Sequence, residues 1–308
     1  MTTDDILESL FSPIKNYQRE AMQAAADQWA EVGPALTALI GEKAGALRAD
    51  PSSSDESMGL IYALTLFGHL RDRHAWPAVH ALCTLPNGIA DDELGGIATE
   101  DLSQVLYRCC GGNGDELAAL YANRKVNQWV RGAAFRALQY GVADGVIART
   151  VLLDCLIQTI GSQQDPDCDD RQLVEDARYD FLDMHPVEHA DLAREWVDDE
   201  VLFPDDGGED IDNLLTEMPE HWAKLLDGWR QDLKNYEPAD LHERLEWWAA
   251  FEENQGRLNA PAARDAAFSP AVAAQVAMVK RIDAVQAAKR KQKNKMAKKS
   301  RQTNRKKK

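Results

Sequence analysis

The sequence predicts an all-α chain of stacked helical hairpins, closed by a basic and mostly disordered C-terminal tail. Three observations predict it. Apolar residues recur at i, i+3, i+4 and i+7 along most of the chain, and alternating strand-like runs are nearly absent. Turn signals rich in Gly, Pro, Asn and Asp separate these stripes. Hairpins start near Met58, Ile97, Val130 and Leu173, and a period of roughly 40 residues lies in the range of HEAT- or armadillo-like arrays. Each hairpin needs neighbours to bury its apolar face, so an α-α superhelix of four or more follows. A compact α-α bundle of the same hairpins is the competing arrangement.

Taken in order, Asp4 or Asp5 caps a short first helix, and residues 16–47 read as one or two helices interrupted at Gly33-Pro34. Residues 48–57 form a polar loop that ends in good capping residues. Leu60, Ala63, Leu64 and Phe67 make the first stripe of the array, followed by a shorter helical segment at 76–85 and a turn at Leu85-Pro86-Asn87-Gly88. Leu102, Val105, Leu106, Cys109 and Cys110 form the next face; Gly111-Gly112-Asn113-Gly114 turns the chain into a segment at 115–122. Val130, Ala133, Ala134, Ala137 and Leu138 repeat the spacing with small residues, which suit close helix approach. Leu152, Cys155, Leu156 and Ile160 follow, and a turn region occupies 161–170. After the break at Phe203-Pro204-Asp205-Asp206-Gly207-Gly208, Trp222, Leu225, Leu226 and Trp229 define one helix face and Leu241, Leu245 and Trp248 another. The resulting division is 1–56, N-terminal helices; 57–216, hairpin array; 217–258, C-terminal amphipathic helices; 259–270, linker; 271–308, basic helical or disordered tail.

Several short runs carry a further likeness. Gly59-Leu60-Ile61-Tyr62-Ala63-Leu64, Ala75-Trp76-Pro77, Thr99-Glu100-Asp101-Leu102, Cys110-Gly111-Gly112, Val130-Arg131-Gly132-Ala133-Ala134 and Met184-His185-Pro186-Val187-Glu188 occur in that order. Together they resemble the bacterial domain-of-unknown-function family 1186 over roughly residues 57–216. The resemblance implies a HEAT-like helical protein with no established activity. Some members of that family carry a C-terminal zinc motif of soft ligands. Here no cysteine follows Cys168, so the resemblance brings no zinc site to this chain.

The composition narrows the function classes. Five scattered cysteines are too few for a disulfide scaffold and point to a reducing compartment. The start Met1-Thr2-Thr3-Asp4-Asp5 is acidic where a signal peptide would be basic. No apolar run is long enough to span a bilayer, so a cytoplasmic protein without a membrane span is expected. Cys83, Cys109, Cys110 and Cys155 fall in apolar helical segments and read as core. Asp165-Pro166-Asp167-Cys168-Asp169-Asp170 imitates the start of a calcium loop, but Asp170 replaces the turn glycine and Asp176 the bidentate glutamate; helix capping is the better reading. His185 and His189 are spaced i, i+4, yet Pro186 places His185 outside the helix. His242-Glu243 and Glu188-His189 lie in different kinds of segment, so no catalytic residue, metal ligand or cofactor site is assigned.

Charge distribution is the most informative feature. The net charge of −16 conceals a C-terminal stretch, 280–308, at +13 and a remainder at −29; residues 165–212 alone carry −16. Such a body repels phosphate backbones and suits basic proteins or peptides. The tail residues Lys289, Arg290, Lys291, Lys293, Lys295, Lys298, Lys299, Arg301, Arg305, Lys306, Lys307 and Lys308 form a cationic arm without aromatics. Lacking a stacking platform, it would contact RNA or DNA through phosphates and without sequence preference. Extended at ~3.3 Å per residue, the arm reaches about 65 Å, far beyond a Debye length of about 8 Å. The expected function is a non-enzymatic interaction or scaffold protein: an unknown protein partner on the helical array, non-specific nucleic acid on the tail. A cryptic metal-dependent enzyme using the acidic loop at 205–212, or an acidic holdase for basic clients, is the alternative. A tail folded back on the acidic body also remains open.

Overall fold

Helical spacing in the sequence becomes helix throughout: among the described residues every regular element is an α-helix or a 3-10 turn, and none is a strand. The structure, a computed structural model, describes residues 1–13, 16–53, 58–162, 171–202, 211–216, 219–235, 240–243, 245–246, 248 and 251. Its contacts divide the chain into a first unit, Met1–Glu246, and a second, Trp247–Lys308. Of the second unit only Trp248 and Phe251 are described, and both are buried.

The N-terminal helices are α1 (Thr3–Leu10), α2 (Arg19–Asp27) and α3 (Trp29–Ala49). The cap of α1 is Thr2, ahead of the expected Asp4 or Asp5: its hydroxyl accepts from the Asp5 amide, and the Asp5 carboxylate accepts from the Thr2 amide in return. The expected break at Gly33-Pro34 does not occur. Pro34 lies inside α3, and the chain breaks at Gln28, which ends α2 and begins α3. A proline forfeits one intrahelical hydrogen bond; here Val32, Leu36, Ile40, Ala44 and Leu47 bury one continuous stripe across it. Gly33 lets the Trp29 ring lie against the backbone, where an added Cβ would stand 2.8 Å from it.

Next come α4 (Gly59–Leu70), α5 (Trp76–Cys83), α6 (Asn87–Leu94), α7 (Ile97–Glu100), α8 (Leu102–Cys109), α9 (Gly114–Ala122) and α10 (Gln128–Ala143). All four residues of the first expected stripe, and all five of the stripe from Leu102, are buried. Asn87-Gly88, read as a turn, instead starts α6 behind Pro86. Gly111 and Gly112 do turn the chain, both at positive φ, and the Asn113 side chain caps α9. Helices α11 (Arg149–Gly161), α12 (Arg171–Asp183), α13 (Ala190–Asp198), α14 (Ile211–Leu214) and α15 (Pro219–Asn235) complete the order.

Neighbours in this order cover one another. α3 packs on α5, α4 on α8, α8 and α9 on α10, α9 on α11, α11 on α12, and α10 also on α15. The helices that open the second and third hairpins thus stack in sequence, whereas α12 packs principally on α11. Leu241 and Leu245, expected on a helix, are buried as predicted but lie in successive turns. There the Asp240 carboxylate accepts from the His242 amide, and side-chain bonds of His242 hold the turn.

Candidate functional site

The twelve cationic residues of the tail, 289–308, lie outside the described residues, as do Cys168, the acidic run 165–170 and residues 205–210 of the acidic loop. Asp212, at the end of that loop, faces Arg194 at 3.4 Å. Most of the described acids of the stretch 171–202 point outward: Glu175, Asp176, Asp183, Glu188, Asp191, Glu195, Asp198, Asp199 and Glu200 are exposed along α12, α13, the turn between them and the turn after α13. Their mutual repulsion is felt at Asp180: burial pushes its carboxyl up to about 6, Asp176 and Asp183 push the same way, and Arg136 opposes them.

The Met184-His185-Pro186-Val187-Glu188 run forms the most elaborate polar corner. α12 ends at Asp183, His185 takes a left-handed backbone at φ 49, and a 3-10 turn over Val187–His189 leads into α13. Pro186 therefore keeps His185 outside the helix, as expected. From 35 residues upstream Arg149, the first residue of α11, reaches into this corner. Its guanidinium donates to the carbonyls of Met184 at 2.7 Å and His185 at 3.0 Å and to Glu188 Oε1 at 2.7 Å. The Trp222 ring of α15 covers the guanidinium at 4.7 Å. Beside it the rings of His185 and His221 lie 4.3 Å apart, and His221 Nε2–H donates to the Asp183 carbonyl at 2.7 Å. The Arg149 fork is consumed by carbonyls and a carboxylate, so its chemistry here is to join α11, the corner and α15.

A second polar cluster ties residues 240–243 and 245–246 to α2. Tyr17 O–H donates to His242 Nδ1 at 2.7 Å, and His242 Nε2–H donates to Gln23 Oε1 at 3.1 Å. Arg19 pairs with Glu246, and the Tyr62 hydroxyl accepts from the Gln18 amide. Burial lowers the pKa of His242, with Arg19 adding to the effect and Asp240 and Glu246 opposing it. His69, on α4, is lowered by burial and by Arg108.

The thiols of Cys83, Cys109, Cys110 and Cys155 are buried, and burial raises all four pKa values, to about 12 for Cys83 and Cys155. They are protonated core groups rather than nucleophiles. Among the described residues no group of three or more His, Cys, Asp or Glu is arranged to hold a metal ion. No described helix is long and apolar enough to cross a membrane. Sequence reasoning missed Arg149, His221 and Tyr17. Each owes its place to a partner 35 or more positions away, which local periodicity does not carry.

Comparison with known proteins extends the resemblance. The model of the family described as "Protein of unknown function (DUF1186)" matches residues 1–252, well beyond the 57–216 that the short runs cover. An uncharacterized protein of Chlamydia muridarum is 28% identical over 138 residues, 45% of this chain and 55% of the relative. A second, from Chlamydia trachomatis serovar D, is 29% identical over 141 residues, 45% of this chain and 54% of the relative. The chain thus spans about half the length of the curated relatives it matches. No solved structure matches it.

Proposed function

The chain belongs to DUF1186, a family of proteins of unknown function, and we propose that it acts as a non-enzymatic, cytoplasmic interaction protein. On this reading the acidic helical-repeat body engages a protein partner while the cationic tail holds a polyanion, RNA or DNA. One observation carries it: the sequence segregates its charge into a body of −29 and a C-terminal stretch of +13. The outward carboxylates of α12 and α13 support the first half, since a surface of one sign steers partners of the other and repels phosphate. The second half rests on the tail's density of lysine and arginine.

The test compares the full chain with a version lacking residues 289–308, by fluorescence anisotropy on a labelled RNA and by circular dichroism. Truncation is expected to abolish RNA binding and leave helical content unchanged. Equal RNA affinity in the two chains would refute the assignment of the tail. Recovery of the same protein partner from cells by both chains would place that contact on the body; loss of the partner on truncation would refute that half.

A further inference from the structure

We infer that residues 240–243 with 245–246 form a pH-sensitive latch on α2, closed when His242 is neutral and released when it is protonated. The argument begins with geometry. His242 is 3% exposed, and each ring nitrogen is used by a side chain more than 200 residues away in sequence. Gln23 Oε1 can only accept, so Nε2 carries the proton. Nδ1 is then the acceptor that Tyr17 O–H requires. Tyr17 is itself half-buried, packs edge-on to the His242 ring at 5.7 Å, and burial raises its pKa, so its hydroxyl keeps its proton and remains a donor. A second proton on the imidazole would turn Nδ1 from acceptor to donor, so the Tyr17 hydroxyl would have to turn its own proton away, and it would place a charge in a buried contact.

The charges around the ring can be counted by element. α2 supplies Arg19, a cation, and the preceding strand of chain supplies Tyr17. His69 of α4 feels His242, together with Arg108 of α8 and Asp240. The latch itself brings Asp240 and Glu246, which favour a charged ring; Asp240 already accepts from the His242 amide and Glu246 is paired with Arg19. Desolvation outweighs both carboxylates, which is why the imidazole titrates below its ordinary range. A histidine held neutral in the closed state and free to charge in the open state shifts the balance toward opening as pH falls. Between the ordinary value near 6.5 and the lowered one, the shift is about tenfold per pH unit for one group. The latch directly precedes the C-terminal unit in the sequence.

Hydrogen exchange on the full chain tests this. The amides of Leu245 and Glu246, which donate to the His242 carbonyl, report the opening after correction for intrinsic exchange. Protection should be constant from pH 8 to 7 and fall by up to about tenfold per unit below pH 6.5. His242→Gln should remove the dependence on pH above 5, at whatever level of protection the variant shows. Glu246→Gln removes the ion pair but keeps the titrating ring, so it should lower protection and retain the pH step. His69→Gln should retain the step as well. Flat protection of the wild-type chain from pH 7.5 to 5, an unchanged step in His242→Gln, or loss of the step in His69→Gln would each overturn the latch.

Discussion

Single side chains that bridge distant positions set the energetics of this molecule. Arg149 is the clearest. Its bonds to Met184, His185 and Glu188 and the Trp222 face hold together α11, the left-handed corner at His185 and α15. Arg149→Ala leaves two carbonyls and a carboxylate short of their donor, and should cost about 2–4 kcal/mol in urea denaturation. Arg149→Lys restores the charge without the fork and should recover less than half of that. Asp180 yields a prediction with a sign. Its folded-state value, about 6, lies above the ordinary 3.8, so the folded chain retains a proton that the unfolded chain releases. This contribution to stability is complete below about pH 4 and is lost as pH rises through about 6. Asp180→Asn should therefore stabilise the chain by about 1–3 kcal/mol at pH 7 and do little at pH 4; a pH series of thermal melts on both chains shows the two curves diverging upward in pH. Nothing at these two positions distinguishes them in the sequence. Arg149 is one more polar residue ahead of an apolar stripe, and Asp180 one of many acids, until tertiary contacts select them.

At the scale of helices and their contacts, two devices decide how closely elements approach. Gly68 is where α4 meets α8: a Cβ there would stand 2.9 Å from a Val105 methyl. Gly68→Ala should destabilise by about 1–3 kcal/mol through overpacking. Adding Val105→Ala should return part of the loss, a positive coupling that independent positions would not show. Asn127 closes the N-terminus of α10, accepting from the amides of Trp129 at 2.8 Å and Val130 at 3.4 Å. Asn127→Ala should cost about 1–2 kcal/mol by the same measurement. These elements were largely legible beforehand. The stripes from Leu60, Leu102, Val130 and Leu152 are buried helix faces, because burying one face at 3.6-residue spacing is a local property. Two of the misreadings have non-local causes: a buried stripe carried α3 through Pro34, and side-chain bonds of His242 to Tyr17 and Gln23 kept residues 240–243 and 245–246 out of a helix. The third is local, since Pro86 within the turn signal is also the residue that precedes α6.

Across the molecule as a whole, charge organises the account. The all-α class follows from periodicity alone, and family membership extends through residue 252. The cationic tail is legible only as composition, since residues 289–308 lie outside the described part of the structure. Outward carboxylates on α12 and α13 make the body a surface that phosphate avoids, which leaves the tail as the route to nucleic acid in the proposed function. Metal content is an independent check on the competing enzymatic reading: protein purified without chelator should contain no stoichiometric zinc, iron or manganese by mass spectrometry, and one equivalent per chain would favour that reading.

The most direct test of the charge division is the salt dependence of RNA binding by the full chain. With six to ten phosphates neutralised by the tail, affinity should fall by about 10³–10⁵ between 50 and 200 mM salt, linearly on a double-logarithmic plot. An affinity that hardly changes over that range would contradict the account.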